Sequence, residues 1–340
     1  MRSITIPSFG PPDVLTLTRS DPPTPAAGQV AINVVFAGIN YAEVLFRRGA
    51  VPVPLPYVPG IEVAGYVREL GEGVADLRVG DPVAALTIVA GGGYSEVAVA
   101  DRRLIAPLTG SVGARELRLA SAAPSNTTSA FLIIQEVARL RVGESVLVHA
   151  AGGGLGSQLG QVAKLAGAST VVGTVSTAAK VAAAQGFGFD EVLIRNQEFG
   201  ELARKRTGGR GFDVVVDAVG GAIRLESFDA LAPNGRLLVV GNASGADEVS
   251  FGANELWFAS RSVQGFNLRA LAETAPDAVG DSVQAAVEAV LAGRIRIAVE
   301  SVPLTEIVDA HRRIESGATT GKLVLDLGST LSVADAGVSG

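Results

Sequence analysis

The residues best suited to chemistry are six in a row, Ala151-Gly152-Gly153-Gly154-Leu155-Gly156. They follow an apolar run, 145–149, that reads as a strand, and they open a helical segment, 155–166. This is the A-x-G-x-x-G form of a dinucleotide-binding corner. Gly153 lets the backbone approach a diphosphate, Gly156 lets the helix pack on the sheet, and the first helical N–H groups face the phosphates. The next strand decides which dinucleotide fits. A site for NAD carries Asp or Glu at that strand's end, placed for the ribose 2′-hydroxyl. Here the chain reads Gly173-Thr174-Val175-Ser176-Thr177-Ala178-Ala179-Lys180, with no acid. Ser176, Thr177 and Lys180 offer hydroxyls and a cation instead, and Arg195 ends the third strand. That set suits a 2′-phosphate, so NADPH is the expected cofactor.

Such a corner needs a parallel sheet to hold it. From about Ala120, apolar runs alternate with helical segments. Strands are predicted over 145–149, 170–174, 191–194, 212–217, 236–241 and 262–266. Helices are predicted over 155–166, 177–185, 199–206 and 222–231. Six strands with helices between them imply a doubly wound parallel sheet of the Rossmann type. Ligands bind at the carboxyl ends of such strands, which adds Gly241, Asn242 and Asn267 to the cofactor candidates.

The first third is β-rich. Runs over 30–37 and 62–67 are short, apolar and bounded by Gly and Pro. Pro52, Pro54, Pro56 and Pro59 exclude a helix between them. Gly80-Asp81 and Gly91-Gly92-Gly93 read as turns. Two helices over 277–291 and 304–316 and a strand over 322–327 complete the pattern. Small polar residues at 331–340 predict a flexible tail.

Composition narrows the function classes. The 340 residues, 48% hydrophobic and 18% charged, suffice for two domains with cores. The net charge of −6 argues against a nucleic-acid surface, which needs excess Lys and Arg. There is no cysteine, which excludes disulfides, thiolate metal sites and cysteine nucleophiles. No segment approaches the ~20 apolar residues of a membrane span, and Met1 to Gly10 holds no signal-peptide core. A cytoplasmic protein without a membrane partner is expected.

Further motifs carry a resemblance over nearly the whole chain. They are Ala37-Gly38-Ile39-Asn40-Tyr41-Ala42-Glu43, Pro59-Gly60-Ile61-Glu62-Val63-Ala64-Gly65, Val79-Gly80-Asp81-Pro82-Val83, Gly92-Gly93-Tyr94-Ser95-Glu96 and the ending Gly321-Lys322-Leu323-Val324-Leu325. With the glycine corner, they resemble the zinc-independent medium-chain dehydrogenases/reductases of the quinone oxidoreductase branch. The resemblance implies an α/β chain with a GroES-like β-rich catalytic domain, 1–124 and 268–330, and a Rossmann domain, 125–267, inserted in it. It implies an active site in the cleft between them and a homodimer or homotetramer. Zinc alcohol dehydrogenases hold their catalytic metal through Cys and His at the positions of Asn40 and Ile61. Neither residue is a plausible zinc ligand here, so no metal is expected.

By the same resemblance, Asn40, Tyr41 and Ser129 are the catalytic candidates, and Lys322 approaches the cofactor. Ser129 stands where the family usually has Thr, and Glu43 where it usually has Asp. His149, ending a buried strand, reads as a core residue. His311, beside Arg312 and Arg313, reads as solvated or at an interface. Trp257 reads as rimming the pocket or packing between domains. The expected reaction is hydride transfer from NADPH to a small molecule, a quinone or α,β-unsaturated carbonyl. The alternatives are an enoyl-thioester or tailoring reductase of secondary metabolism and a non-catalytic NADPH-binding protein.

Overall fold

The structure, a computed structural model, describes residues 1–195 and 199–328. The expected flexible tail, 331–340, lies outside the described residues. The chain forms two compact units. One holds Met1–Thr128 and the described residues from Leu268 onward, and the other holds Ser129–Asn267.

The first unit begins with β1 (Arg2–Thr5), β2 (Thr16–Arg19), β3 (Gln29–Ile39), β4 (Glu62–Leu70), β5 (Pro82–Leu86), β6 (Val97–Asp101) and β7 (Ile105–Pro107). The second supplies β8 (Ser145–Val148), β9 (Thr170–Val175), β10 (Glu191–Ile194), β11 (Phe212–Asp217), β12 (Leu231–Val239) and β13 (Ser262–Gly265). The chain then returns to the first unit with β14 (Val299–Pro303) and β15 (Lys322–Asp326).

In the first unit the sheet runs β14-β15-β3-β4-β5-β7, and β6 also pairs with β3. The long strand β3 is therefore the spine. It pairs antiparallel with β15, placing Leu323 opposite Ile39, and with β4, placing Val63 opposite Ala37. Those registers bring the first residues of β4 and β15, Glu62 and Lys322, beside the end of β3, where Gly38 and Asn40 lie. A helix, Tyr41–Arg48, starts there and stops at Gly49, whose φ of 75° suits a residue without Cβ.

In the second unit all six strands are parallel, in the order β10-β9-β8-β11-β12-β13. Counted from the unit's first strand, this is the Rossmann order. Central strands covered on both faces need apolar residues throughout, and Val214, Val215 and Val216 are fully or almost fully buried. Phe199, Phe212, Phe228 and Leu237 complete that core.

Several predicted bounds shift. The helix predicted to 231 ends at Asp229, and β12 starts at Leu231, ahead of the predicted 236, across an irregularity facing Phe212–Val214. The helix predicted over 177–185 is a tight turn, Ala178–Lys180, running into Val181–Gln185. Helices Tyr41–Arg48, Asn126–Phe131 and Ala253–Ala259 were not expected from sequence.

Candidate active site

In the second unit the glycine corner lies between β8 and the helix Gly156–Leu165. Ala150 takes a positive φ of 55° to turn the chain, and the Gly153 N–H donates back to its carbonyl at 2.9 Å. A Cβ on Gly156 would stand 2.2 Å from that same carbonyl oxygen, so only glycine fits. Gly153, Gly154 and Leu155 keep exposed surface, while Ala151 and Gly152 are buried.

The predicted phosphate residues gather at the neighbouring strand ends. Ser176 and Thr177 are exposed just past β9. Lys180 follows, and its Cβ lies 4.0 Å from where a Cβ on Gly152 would be. The Arg195 N–H donates to the Val175 carbonyl at 2.7 Å, which fixes Arg195 against the end of β9. The two cations feel each other. Burial lowers the Lys180 ammonium pKa, and the Arg195 charge lowers it further. Burial also lowers Arg195, against the pull of Asp217. The Nη1 of Arg195 is buried with no hydrogen-bond partner among the described residues. A cation pair with an unsatisfied buried donor is the arrangement that an anion would relieve.

The other strand-end candidates are structurally engaged. Asn242 is exposed, and its amide donates to the Ala246 carbonyl at 3.0 Å, closing its own loop. The Gly241 carbonyl accepts from Arg224 at 2.6 Å, and Arg224 is also paired with buried Asp217 at 2.8 Å. Asn267 is exposed after β13. Ser129 is buried within the helix Asn126–Phe131, and the adjacent Thr128 hydroxyl has no partner among the described residues.

In the first unit, Asn40 does not stand alone. Its amide donates to Glu62 Oε1 at 3.0 Å, and its carbonyl accepts from Lys322 Nζ, which also pairs with Glu62. Glu62 and Lys322 are both almost completely buried. Glu43 is fully buried beside them and accepts from the N–H of Asn40 at 2.9 Å and of Ile61 at 3.1 Å. Burial pushes the Glu43 carboxyl up to about 7, partly offset by the Lys322 charge. Tyr41 opens the helix half-buried. Lys322, expected near a cofactor, has its ammonium engaged with Asn40 and Glu62. Sequence reasoning assigned Glu62 no role, although the motif Pro59-Gly60-Ile61-Glu62 contained it.

The histidines divide. His149 is a core residue as expected, with Nδ1 2.7 Å from the Thr174 hydroxyl and Nε2 2.8 Å from the Ser227 hydroxyl. Burial holds its pKa down at about 4. His311 corrects the expectation of a solvated residue: it is fully buried beside the Tyr94 ring, and burial with the nearby Arg47 charge lowers it to about 3. Trp257, expected at a pocket rim or packed between domains, is 73% exposed and stacked on Phe258, itself 77% exposed.

Residues 26–110 match the family described as alcohol dehydrogenase GroES-like domain, and residues 154–285 match zinc-binding dehydrogenase. A probable quinone oxidoreductase of Schizosaccharomyces pombe is 34% identical over 322 residues, covering 93% of this chain and 94% of its own. A 2-haloacrylate reductase of Burkholderia is 30% identical over 328 residues, covering 93% of this chain and 96% of its own. The solved Escherichia coli quinone oxidoreductase complexed with NADPH superposes with a TM-score of 0.88 at 29% identity, over 96% of this chain and all of that one. Zinc, implied by one family description, does not fit the residues present. Cysteine is absent, both histidines are buried in other contacts, and no group of three His, Asp or Glu among the described residues stands ready for a metal.

Proposed function

The chain belongs to the medium-chain dehydrogenase/reductase family, in its quinone oxidoreductase branch, and from that premise we propose that it reduces conjugated carbonyl compounds with NADPH. The observation that carries the reading is that the end of β9 holds no acid where NAD enzymes place one, while Lys180 and Arg195 lie close enough there to act on each other and one Arg195 nitrogen has no partner among the described residues.

NADPH, when bound, supplies a hydride from its nicotinamide. The corner Ala151–Gly156 cradles the diphosphate, as the exposed backbone of Gly153–Leu155 favours. Ser176, Thr177, Lys180 and Arg195 hold the 2′-phosphate. Gly241, Asn242 and Asn267, at the carboxyl ends of β12 and β13, border the rest of the dinucleotide. Asn40 donates a hydrogen bond to the substrate oxygen, Ser129 assists with its hydroxyl, and Tyr41 or water supplies the proton.

The donor set also favours the substrate class. Hydride addition to a simple ketone leaves a localised alkoxide, which calls for a metal or a proton donor held directly at that oxygen. Addition to a quinone or enone leaves charge spread over a conjugated system, so neutral N–H and O–H donors suffice. The likeness to a 2-haloacrylate reductase, whose name denotes a conjugated acid, supports the same class.

A homodimer completes the reading. Strand β13 ends its sheet, and the helix that precedes it in the chain, Ala253–Ala259, carries the exposed, stacked Trp257–Phe258 pair. An open strand edge and exposed aromatics are each natural self-association surfaces.

The test is stopped-flow decay of NADPH absorbance with a panel of simple quinones and α,β-unsaturated ketones, with and without chelator. Rapid decay that chelation leaves unchanged is expected. NADPH that binds tightly yet persists across the whole panel would instead make this a non-catalytic binding protein.

A further inference from the structure

We infer that the buried Lys322–Glu62 ion pair is a positioning device that fixes the Asn40 side chain as an obligate hydrogen-bond donor toward the substrate oxygen. This deepens the reductase reading above and rests on it.

Three strand ends converge to build the device. The registers of β3 with β4 and β15 bring Glu62 and Lys322 to either side of the Gly38–Asn40 segment. Gly38 makes room: a Cβ there would stand 2.3 Å from Glu62 Oε1. The second carboxylate oxygen of Glu62 accepts the Ser125 N–H at 2.8 Å, so the carboxylate is held at both ends. Glu43, from the other side, ties down the Asn40 backbone N–H.

Chemistry then dictates which way the amide points. An ammonium only donates and a carboxylate only accepts. Asn40 Oδ1 must therefore face Lys322, and Nδ2 must face Glu62, as found. An asparagine free of such neighbours can flip and offer either a donor or an acceptor. Here the oxygen is turned toward Lys322 and one N–H is spent on Glu62, which leaves one N–H for a further acceptor. The ammonium on the amide oxygen also polarises that N–H, because linked hydrogen bonds in a buried site reinforce each other. Asn40 is not sealed off, keeping 7% of its surface accessible. The result is a neutral donor, prealigned for an oxygen that gains negative charge as hydride arrives at carbon.

A buried ion pair is weak grounds for a stability role, since an apolar pair of like volume often does as well. That makes a clean test possible. In Glu62→Gln/Lys322→Met both charges go and the bulk stays. We expect kcat to fall by about a hundredfold, the usual effect of losing one oxyanion donor, while NADPH affinity changes less than about twofold. Asn40→Ala should cost the same factor alone, and little more when added to the double substitution. Equal, multiplying losses from Asn40→Ala in both backgrounds would show that the pair does not act through Asn40 and would overturn the inference.

A second measurement needs no turnover. With 15N-asparagine labelling, the Asn40 side-chain amide signals, assigned by their loss in Asn40→Ala, should be strongly protected from exchange with solvent in the free wild-type protein, and that protection should vanish in Glu62→Gln/Lys322→Met. Exchange in wild type as fast as that of an exposed asparagine would overturn the inference. If wild type turned over no conjugated carbonyl at all, the reductase reading would fail, whereas the labelled spectrum would still report on the lock.

Discussion

Replacing Arg195 with Ala should separate the two nicotinamide dinucleotides. The backbone of Arg195 is fixed against Val175, and one of its guanidinium nitrogens is buried without a partner among the described residues. It also shares its surroundings with Lys180, whose ammonium it destabilises. A 2′-phosphate placed between them would gain a charge-assisted hydrogen bond from each. One such bond contributes about 1.5–3 kcal/mol, which corresponds to roughly 10- to 150-fold in affinity. Arg195→Ala should therefore weaken NADPH by that factor and leave NADH, which lacks the phosphate, within about twofold. Adding Lys180→Ala should weaken NADPH further and flatten its dependence on salt, since fewer charges remain to be screened. Titration calorimetry with both dinucleotides, at low and high salt, reads all of this. The free protein should also melt no lower in Arg195→Ala, because a half-buried cation facing another cation is costly before its anion arrives. Equal losses for NADPH and NADH, or no loss for either, would refute the assignment.

Gly156→Ala should destabilise the protein by roughly 1–3 kcal/mol in urea unfolding, as overpacking does, because its Cβ would collide with the Ala150 carbonyl. Gly153→Ala, with its nearest contact at 3.3 Å, should fold and act as the control. Trp257→Ser/Phe258→Ser should convert a dimer to a monomer in sedimentation, and an unchanged mass would remove these rings from the interface. Stability should fall on acidification: His149 and His311, held at about 4 and about 3 in the fold, take up protons near 6.5 only when unfolded, so their contribution is complete above 6.5 and is lost below it. Glu43, raised to about 7, opposes this, its contribution being complete below 4.5 and lost as pH rises through 7. Between 4.5 and 6.5 the balance is about one proton, or about 1.4 kcal/mol per pH unit of stability rising with pH. Urea unfolding at pH 5 and pH 6 measures it, and a flat or inverted profile contradicts the assignment.

The second unit was legible because its rules are local. Strands buried on both faces read as unbroken apolar runs, and glycines mark the corners where only glycine fits, as at Gly156. The first unit was less so. The helix Asn126–Phe131 begins Asn-Thr-Thr-Ser, side chains that compete with the backbone for hydrogen bonds and favour turns. Burial overrides that preference, since Thr127 and Thr128 are fully inside. His311 was misread from its neighbours Arg312 and Arg313. The better signal was period: Ile307, Ala310, His311 and Ile314 fall on one helical stripe, and the first three of them are buried. The charge of the next residues says nothing about that face.

The Lys322–Glu62 pair shows where such reading stops. Its members come from opposite ends of the chain, and nothing in either neighbourhood marks one as the partner of the other. Only the register of β3 with both β4 and β15 makes them meet. A buried carboxylate must find a cation, shed its charge or collect N–H donors. Glu62 and Glu43 share one cation, Lys322. Glu62 takes the direct contact, whereas Glu43 collects two backbone N–H groups and is still pushed up to about 7. With Glu43 protonated, the cluster is neutral, and a neutral cluster can be buried without water. In the proposed mechanism, Asn40 is thus an amide whose direction is set by a lysine, and hydrogen bonding would supply the polarisation of the substrate oxygen that a metal supplies by coordination.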